Sequence, residues 1–260
     1  MSPPRLTRRN LLGLGAAGAS SVVLGGCDAF DFLADRKNNV RHVLERANDL
    51  TYHVQRLLIG DALAPEYAES EIRQAMKANG SKNPQTADYL KLKANDFADY
   101  RLEVKGLVET PKTYSLTELR NMPSRTQITR HDCVEGWSCI AKWTGTPLHA
   151  VLNEVKLKPA ARYIVFHCYD NLGGGPSGYY YESCDLMDAL HPQTILAYGL
   201  NGKTLPVPNG APLRVRIERQ LGYKQPKYVH TIEAVNSFAN IRLGKGGFWE
   251  DQGYEWYAGI

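Results

Sequence analysis

The chain has 260 residues, of which 43% are hydrophobic, 22% charged and 10% aromatic; this suffices for a sizeable core and excludes disordered, collagenous and polytopic membrane classes. Its formal charge of +4 falls to +1 once Arg5, Arg8 and Arg9 of the leader are set aside, so the body offers no electrostatic case for binding nucleic acid. Five cysteines, none in a CxxC or CxxCH pair, are too few for a disulfide scaffold and supply no zinc or haem-attachment motif.

Residues 1–27 read as an address: TRRNLLG is a charged n-region, LGAAGASSVVLGG an apolar h-region, and Cys27 a processing site. The adjacent Arg8 and Arg9 fit a twin-arginine export signal, which carries proteins already folded; a Sec signal with incidental arginines is the alternative. Leu24-Gly25-Gly26-Cys27 resembles a bacterial lipoprotein box, which makes Cys27 a lipidation candidate and implies a periplasmic protein anchored to a membrane. If Cys27 merely ends the h-region, a soluble periplasmic protein results.

In residues 28–97, Val40, Val43, Leu44, Ala47, Leu50, Val54, Leu57 and Leu58 recur at helical spacing and predict a packed amphipathic helix over 38–58. Residues 59–97, broken by Gly60, Gly80 and Pro84, predict an arm laid over a core with a short helix near Ser70 to Ala78. From 98 to 260 the period changes. Tyr100, Leu102 and Val104 alternate with Arg101, Glu103 and Lys105 as in a half-buried strand, and further strands fit 162–168, 195–200, 213–218 and 228–235. Ser115 and Glu118 form a capping box, Thr146-Pro147 gives a second helix an N-cap and an N1 proline, and Asn201-Gly202 marks a hairpin turn. Strands with short intervening helices predict an α+β fold, mainly β. The tail GGFWEDQGYEWYAGI, rich in aromatics, predicts a cover across the core.

The densest chemistry lies in His131-Asp132-Cys133-Val134-Glu135-Gly136-Trp137-Ser138. Cys133 there could be a thiolate ligand of a soft or high-valent metal, a nucleophile activated by His131, or a buried apolar cysteine. His131 and Asp132 could tune the thiolate by hydrogen bonds or be ordinary strand-end polar groups. Leu221-Gly222-Tyr223-Lys224 with Lys227 puts exposed backbone N–H groups and two ammonium charges into one loop, where they could meet a phosphate or simply be solvated.

The segment CVEGWSCIAKWTGTPL resembles the cofactor-cysteine region of the sulfite oxidase family of molybdopterin-dependent oxidoreductases. The likeness continues in order through Tyr179-Tyr180-Tyr181-Glu182-Ser183, ALHPQTILAYGLNGKTLPVPNGAPLRVRI, and Gly222-Tyr223-Lys224 with Lys227-Tyr228. It implies the sulfite oxidase-type molybdopterin-binding fold, a single pyranopterin carrying molybdenum, and Cys133 as the metal-binding thiolate. It implies pterin contacts at Gly222, Tyr223, Lys224 and Lys227, and an active-site role for Tyr180, the residue three before Ser183. Asn79 matches the asparagine of the family's Arg-Asn-His triplet, which helps hold the pterin, whereas Ala78 stands where sulfite-oxidising members carry an arginine. The departure at Ala78 turns the expectation away from sulfite.

The resemblance therefore implies an exported oxidoreductase that transfers oxygen atoms, reducing an S-oxide or N-oxide carried by a small molecule or a protein. A sulfite dehydrogenase of the same fold and a cofactor-free binding lipoprotein are the alternatives. Without a haem motif or room for the family's dimerisation domain, the expectation is a monomer that takes electrons from an external partner. Length and leader resemble the periplasmic methionine sulfoxide reductase catalytic subunits, which points to a membrane haem protein as that partner.

Overall fold

The computed structural model describes residues 39–260 except Gln74; Arg8, Arg9 and Cys27 lie outside the described residues. The chain divides into two compact units, up to Gly60 and from Asp61 onward. In the first, helix α1 spans Asn39–Ile59, as its apolar spacing predicts. Val43, Leu50, Leu57 and Leu58 on this helix are exposed. Among the described residues no helix is long and apolar enough to cross a membrane.

The second unit begins with the arm. The helix expected near 70–78 is reduced to a 3-10 turn at Glu69–Glu71, because the arm's amides are satisfied by strand edges instead: Tyr67 N–H donates to Ile128 O and Arg73 N–H to Ile140 O, both at 2.9 Å. A helix the spacing did not reveal, α2 (Ala87–Ala94), follows and buries Tyr89. Then come β1 (Arg101–Gly106), β2 (Lys112–Ser115), α3 (Leu116–Asn121), β3 (Arg125–Cys133), β4 (Trp137–Pro147), α4 (Leu148–Val155), β5 (Tyr163–Asn171), β6 (Tyr179–Asp185), α5 (Leu186–Ala189), β7 (Ile195–Leu200), β8 (Lys203–Thr204), β9 (Arg214–Arg216), β10 (Val229–Val235) and α6 (Phe248–Asp251).

One sheet runs β2-β1-β10-β5-β6, with β1 and β10 parallel and its other neighbours antiparallel. The other runs β3-β4-β7-β8, with β9 also on β7. Leu102 and Val104 point inward from β1 and join Ile164, Phe166, Val215, Ile232 and the apolar face of α4 in the main core. The capping box forms as expected: Ser115 Oγ accepts from Glu118 N–H and starts α3. At α4 the N-cap is Pro147 itself, one residue later than expected, because Thr146 Oγ1 is drawn off to donate to Leu119 O at 2.6 Å. Asn201 and Gly202, both at positive φ, turn β7 into β8.

The pairing of β10 with β5 slips between Val229 and Thr231. At the slip, His230 lies against Tyr169 with 4.6 Å between ring centroids and the rings tilted by 47°. Burial, then the nearby His167 and Lys105, push the His230 pKa down from 6.5 to about 4. The unfolded chain takes up this proton near pH 6.5 and the folded chain only near pH 4, so this imidazole's contribution to stability is complete above pH 6.5 and is lost as the pH falls through that window. Replacing His230 by Phe should flatten the unfolding free energy between pH 6.5 and 4 by about 3 kcal/mol, measured by denaturant titration. An unchanged profile would assign the titration to another group.

Candidate active site

Strands β3 and β4 pair without interruption from Arg125–Gly145 to Cys133–Trp137. The tight turn that joins them is closed by Gly136 N–H donating to Cys133 O at 3.0 Å, with Gly136 at a φ of +81°. This places the Cys133 thiol at a hairpin tip, in the wall of a cleft of about 160 Å³. Burial pushes the thiol up, while a backbone hydrogen bond from Glu135 and the charge of Lys77 act in the opposite direction. Cys133, Cys139, Cys168 and Cys184 are all free thiols.

The remaining walls come from segments far apart in the chain. The arm contributes Asn79, Gly80 and Ser81; β6 contributes Tyr180; the loop before β10 contributes Gly222, Tyr223 and Lys227; and the tail contributes Trp249 and Tyr254. The structure thus gathers Asn79, Cys133, Tyr180, Gly222, Tyr223 and Lys227 around one cleft, and Trp249 and Tyr254 of the tail line it, where the tail's composition suggested a cover across the core. Lys227 Nζ donates to Asn79 O at 2.6 Å, to Pro208 O at 3.1 Å and to Ser81 O. Its three donors are therefore all engaged, and a phosphate bound there must displace one carbonyl. Burial and the nearby Arg214 push its pKa down to about 7.

Lys224 is placed differently from the sequence expectation. Its ammonium is buried and bridges Glu182 and Glu250, 2.6 Å from Glu250 Oε1, and its side chain is absent from the cleft wall. Burial and Glu250 raise the Glu182 pKa well above the usual carboxylate range, and Lys224 opposes them. Lys224 thus neutralises a buried carboxylate pair. The two carboxylates, 68 residues apart, could not be grouped from the sequence.

His131 and Asp132 do not address the thiol. Arg216 Nη1 donates to His131 Nδ1 at 2.8 Å, which leaves the proton on Nε2, and Arg216 also pairs with Glu218 at 2.6 Å. Burial, then Arg216, holds His131 neutral by lowering its pKa. Asp132 accepts from Ser138 Oγ and from Arg130 Nε. His131 instead seats the loop: a Cβ at Gly222 would lie 2.6 Å from the imidazole, so only glycine permits this approach. Tyr180, whose phenol burial keeps protonated, donates to Tyr223 O at 2.5 Å and ties β6 to the same loop.

The cleft was also singled out by one residue the sequence reading missed. Asp170, on β5, is buried in its wall and accepts from Ser81 Oγ at 2.8 Å through Oδ2. Burial raises its pKa to about 6. Only the end of β5 distinguishes this aspartate in sequence, and many strand-end aspartates have no function.

The family described as oxidoreductase molybdopterin binding domain matches residues 89–240. A putative protein-methionine-sulfoxide reductase subunit, YedZ1, of Azospira oryzae is 41% identical over 197 residues, which cover 76% of this chain and 68% of that protein. The protein-methionine-sulfoxide reductase catalytic subunit MsrP of Ralstonia nicotianae is 37% identical over 145 residues, covering 53% and 44%. MsrP of Xanthomonas axonopodis is also 37% identical, over 52% and 45%. The matched stretch therefore spans less than half the length of these two catalytic subunits. Among solved structures, the sulfane dehydrogenase SoxCD from Paracoccus pantotrophus has a TM-score of 0.48 at 20% identity, over 68% of this chain and 46% of that one. The chain belongs to the oxidoreductase molybdopterin binding domain family and is a molybdopterin-dependent oxidoreductase with an α+β fold.

Proposed function

We propose that this chain reduces an S-oxide or N-oxide at a molybdenum centre held by Cys133. The names of its relatives support a methionine sulfoxide as the S-oxide. The observation that carries the reading is the charge of the cleft. Among the described residues that line it, Lys227 is the one cation and its donors are engaged by carbonyls, whereas Glu135 and Asp170 bring carboxyl groups. A sulfite dianion needs converging cations, while a neutral oxide needs shape and a hydrogen-bond donor.

The residues fit the cofactor. Asn79 Oδ1 is buried in the wall without a partner and suits an N–H of the pterin. Cys133 would hold the metal through its thiolate, and the backbone at Gly222 and Tyr223, with Lys227, would meet the phosphate. When bound, the group supplies the two-electron change by which an oxide loses its oxygen; the reaction consumes two electrons and two protons and releases water. The chain's own part is to orient and to keep water out. Trp249 and Tyr254 cover the cleft, with Val134 and Leu172 at its rim. Tyr180 stays a neutral phenol because burial raises its pKa, and it reaches a substrate oxygen only by turning from Tyr223 O. The electrons come from an external donor, for which a membrane haem protein is the candidate. Export by the twin-arginine route and a lipid at Cys27 complete the proposal and place the enzyme in the periplasm.

Purified from cells that make the cofactor, the protein should hold one molybdenum and one pterin per chain. Reduced-dye assays should show S-oxide or N-oxide reduction exceeding sulfite oxidation in kcat/KM by about tenfold or more, equivalent to roughly 1.4 kcal/mol of transition-state discrimination. Efficient sulfite oxidation without reductase activity would establish the sulfite dehydrogenase reading instead.

A further inference from the structure

We infer that a groove beside the active-site cleft is a specificity subsite for a polypeptide substrate, in which Leu243, Phe248 and Trp249 receive an apolar side chain next to the oxidised residue. The inference rests on the S-oxide reading above and goes beyond it by naming what surrounds the reacting group.

The groove measures about 690 Å³ against the cleft's 160 Å³, and the two adjoin through Leu172 and Trp249, which line both. One wall is the glycine-rich stretch from Leu172 to Gly178, and the other runs from Arg242 to Gln252. Leu243 is 71% exposed and belongs to neither apolar cluster of the fold, so packing does not explain it. Exposed apolar surface gathered at one place marks a contact site. Beside it Phe248 and Trp249 meet edge to face at 5.3 Å and form a fixed aromatic wall.

The charged side chains of the groove are turned to its own walls. Arg242 donates to Pro176 O and so ties the two walls together. Asp251 accepts from Tyr181 Oη at 2.6 Å, from Leu243 N–H at 3.3 Å and from Lys245 N–H at 3.2 Å. These bonds leave a ligand chiefly apolar side chains and glycine main chain. A small S-oxide delivered to Cys133 would leave the groove empty. A methionine sulfoxide carried on a polypeptide fills it: the oxide enters the cleft past Trp249, the neighbouring side chain lies on Leu243 and Phe248, and Gly173 and Gly178 let an extended backbone come close. The groove's size is within the roughly 300–1,000 Å³ of sites that hold ligands much larger than one side chain. Continuity with the cleft favours this occupant over a second copy of the chain, which would close the mouth to substrate.

The test follows the holoenzyme in a reduced-dye assay on three substrates: free methionine sulfoxide, a pentapeptide with methionine sulfoxide between leucines, and one with it between serines. The wild type should show a kcat/KM about tenfold higher for the leucine peptide than for the serine peptide, carried by KM, which is the order expected for partly burying one large apolar side chain. Leu243→Ser, at a position exposed enough to spare the fold, should cut this preference to about twofold or less. Its turnover of free methionine sulfoxide, molybdenum content and melting temperature should match the wild type, and Leu243→Met should keep the preference. Equal KM for the two peptides in the wild type would overturn the inference. So would a preference that survives in Leu243→Ser, or a loss that falls equally on all three substrates. Failure of the molybdenum-loaded wild type to reduce any of the three would instead overturn the S-oxide reading, and this inference with it.

Discussion

Cys133→Ser should fold, export and melt like the wild type yet turn over at least about a thousandfold more slowly, because a serine hydroxyl does not ionise near neutral pH to replace a thiolate donor. The substitution is close to isosteric. The thiol lies at a hairpin tip whose geometry is set by the β3–β4 ladder and by Gly136, neither of which depends on sulfur. X-ray absorption should find one fewer sulfur around the molybdenum than in the wild type. Cys139 is the control, since it lies in the second apolar cluster with Ala141 and Trp143 and outside the cleft wall. Cys139→Ser should leave turnover unchanged. Full activity in the Cys133 variant would remove the thiol from the mechanism.

Lys224→Met is expected to act on the fold before it acts on chemistry. It strips the cation from Glu182 and Glu250, both almost fully buried, each of which already keeps one carboxyl oxygen without a partner. Breaking a buried ion pair from one side costs about 3–5 kcal/mol. In a chain of this size that corresponds to a fall in melting temperature on the order of 10 °C. Adding Glu182→Gln should recover part of the loss, since a neutral amide can stay buried without the ammonium. A melting temperature that does not move, coupled with loss of pterin, would return Lys224 to the phosphate-binding role that its loop position suggests.

These two residues show what the sequence made legible. The hairpin carrying Cys133 was not among the expected strands, although alternating burial marks β3 and β4 and a glycine their turn. The same local grammar placed β1, β5, β7, β10, the Ser115 capping box and the Asn201-Gly202 turn. Lys224 has equally plain local surroundings, but its environment is set by β6 and α6, distant in sequence and adjacent in space. Asp170, Arg216 and His131 were opaque for the same reason, because a buried charge is defined by partners that only tertiary structure supplies. The arm misled in another way. Its 70–78 stretch has helical spacing, yet strand edges offer its amides better partners, while α2 forms nearby with Leu90 and Leu92 two apart and little apolar periodicity to announce it.

The parallel pairing of β1 with β10 has a consequence for the timing of synthesis. β10 lies between β1 and β5 in the middle of its sheet, so that sheet cannot close until residues 229–235 have left the ribosome, more than a hundred residues after β1. At a typical elongation rate of roughly 5–20 residues per second, β1 waits for about 6–26 seconds before the walls of the cleft can meet. The loop that carries Gly222 and Lys227 immediately precedes this last strand. Cofactor capture is therefore a late event, and a leader read only after folding would report that the whole core, rather than a nascent fragment of it, stands ready for export.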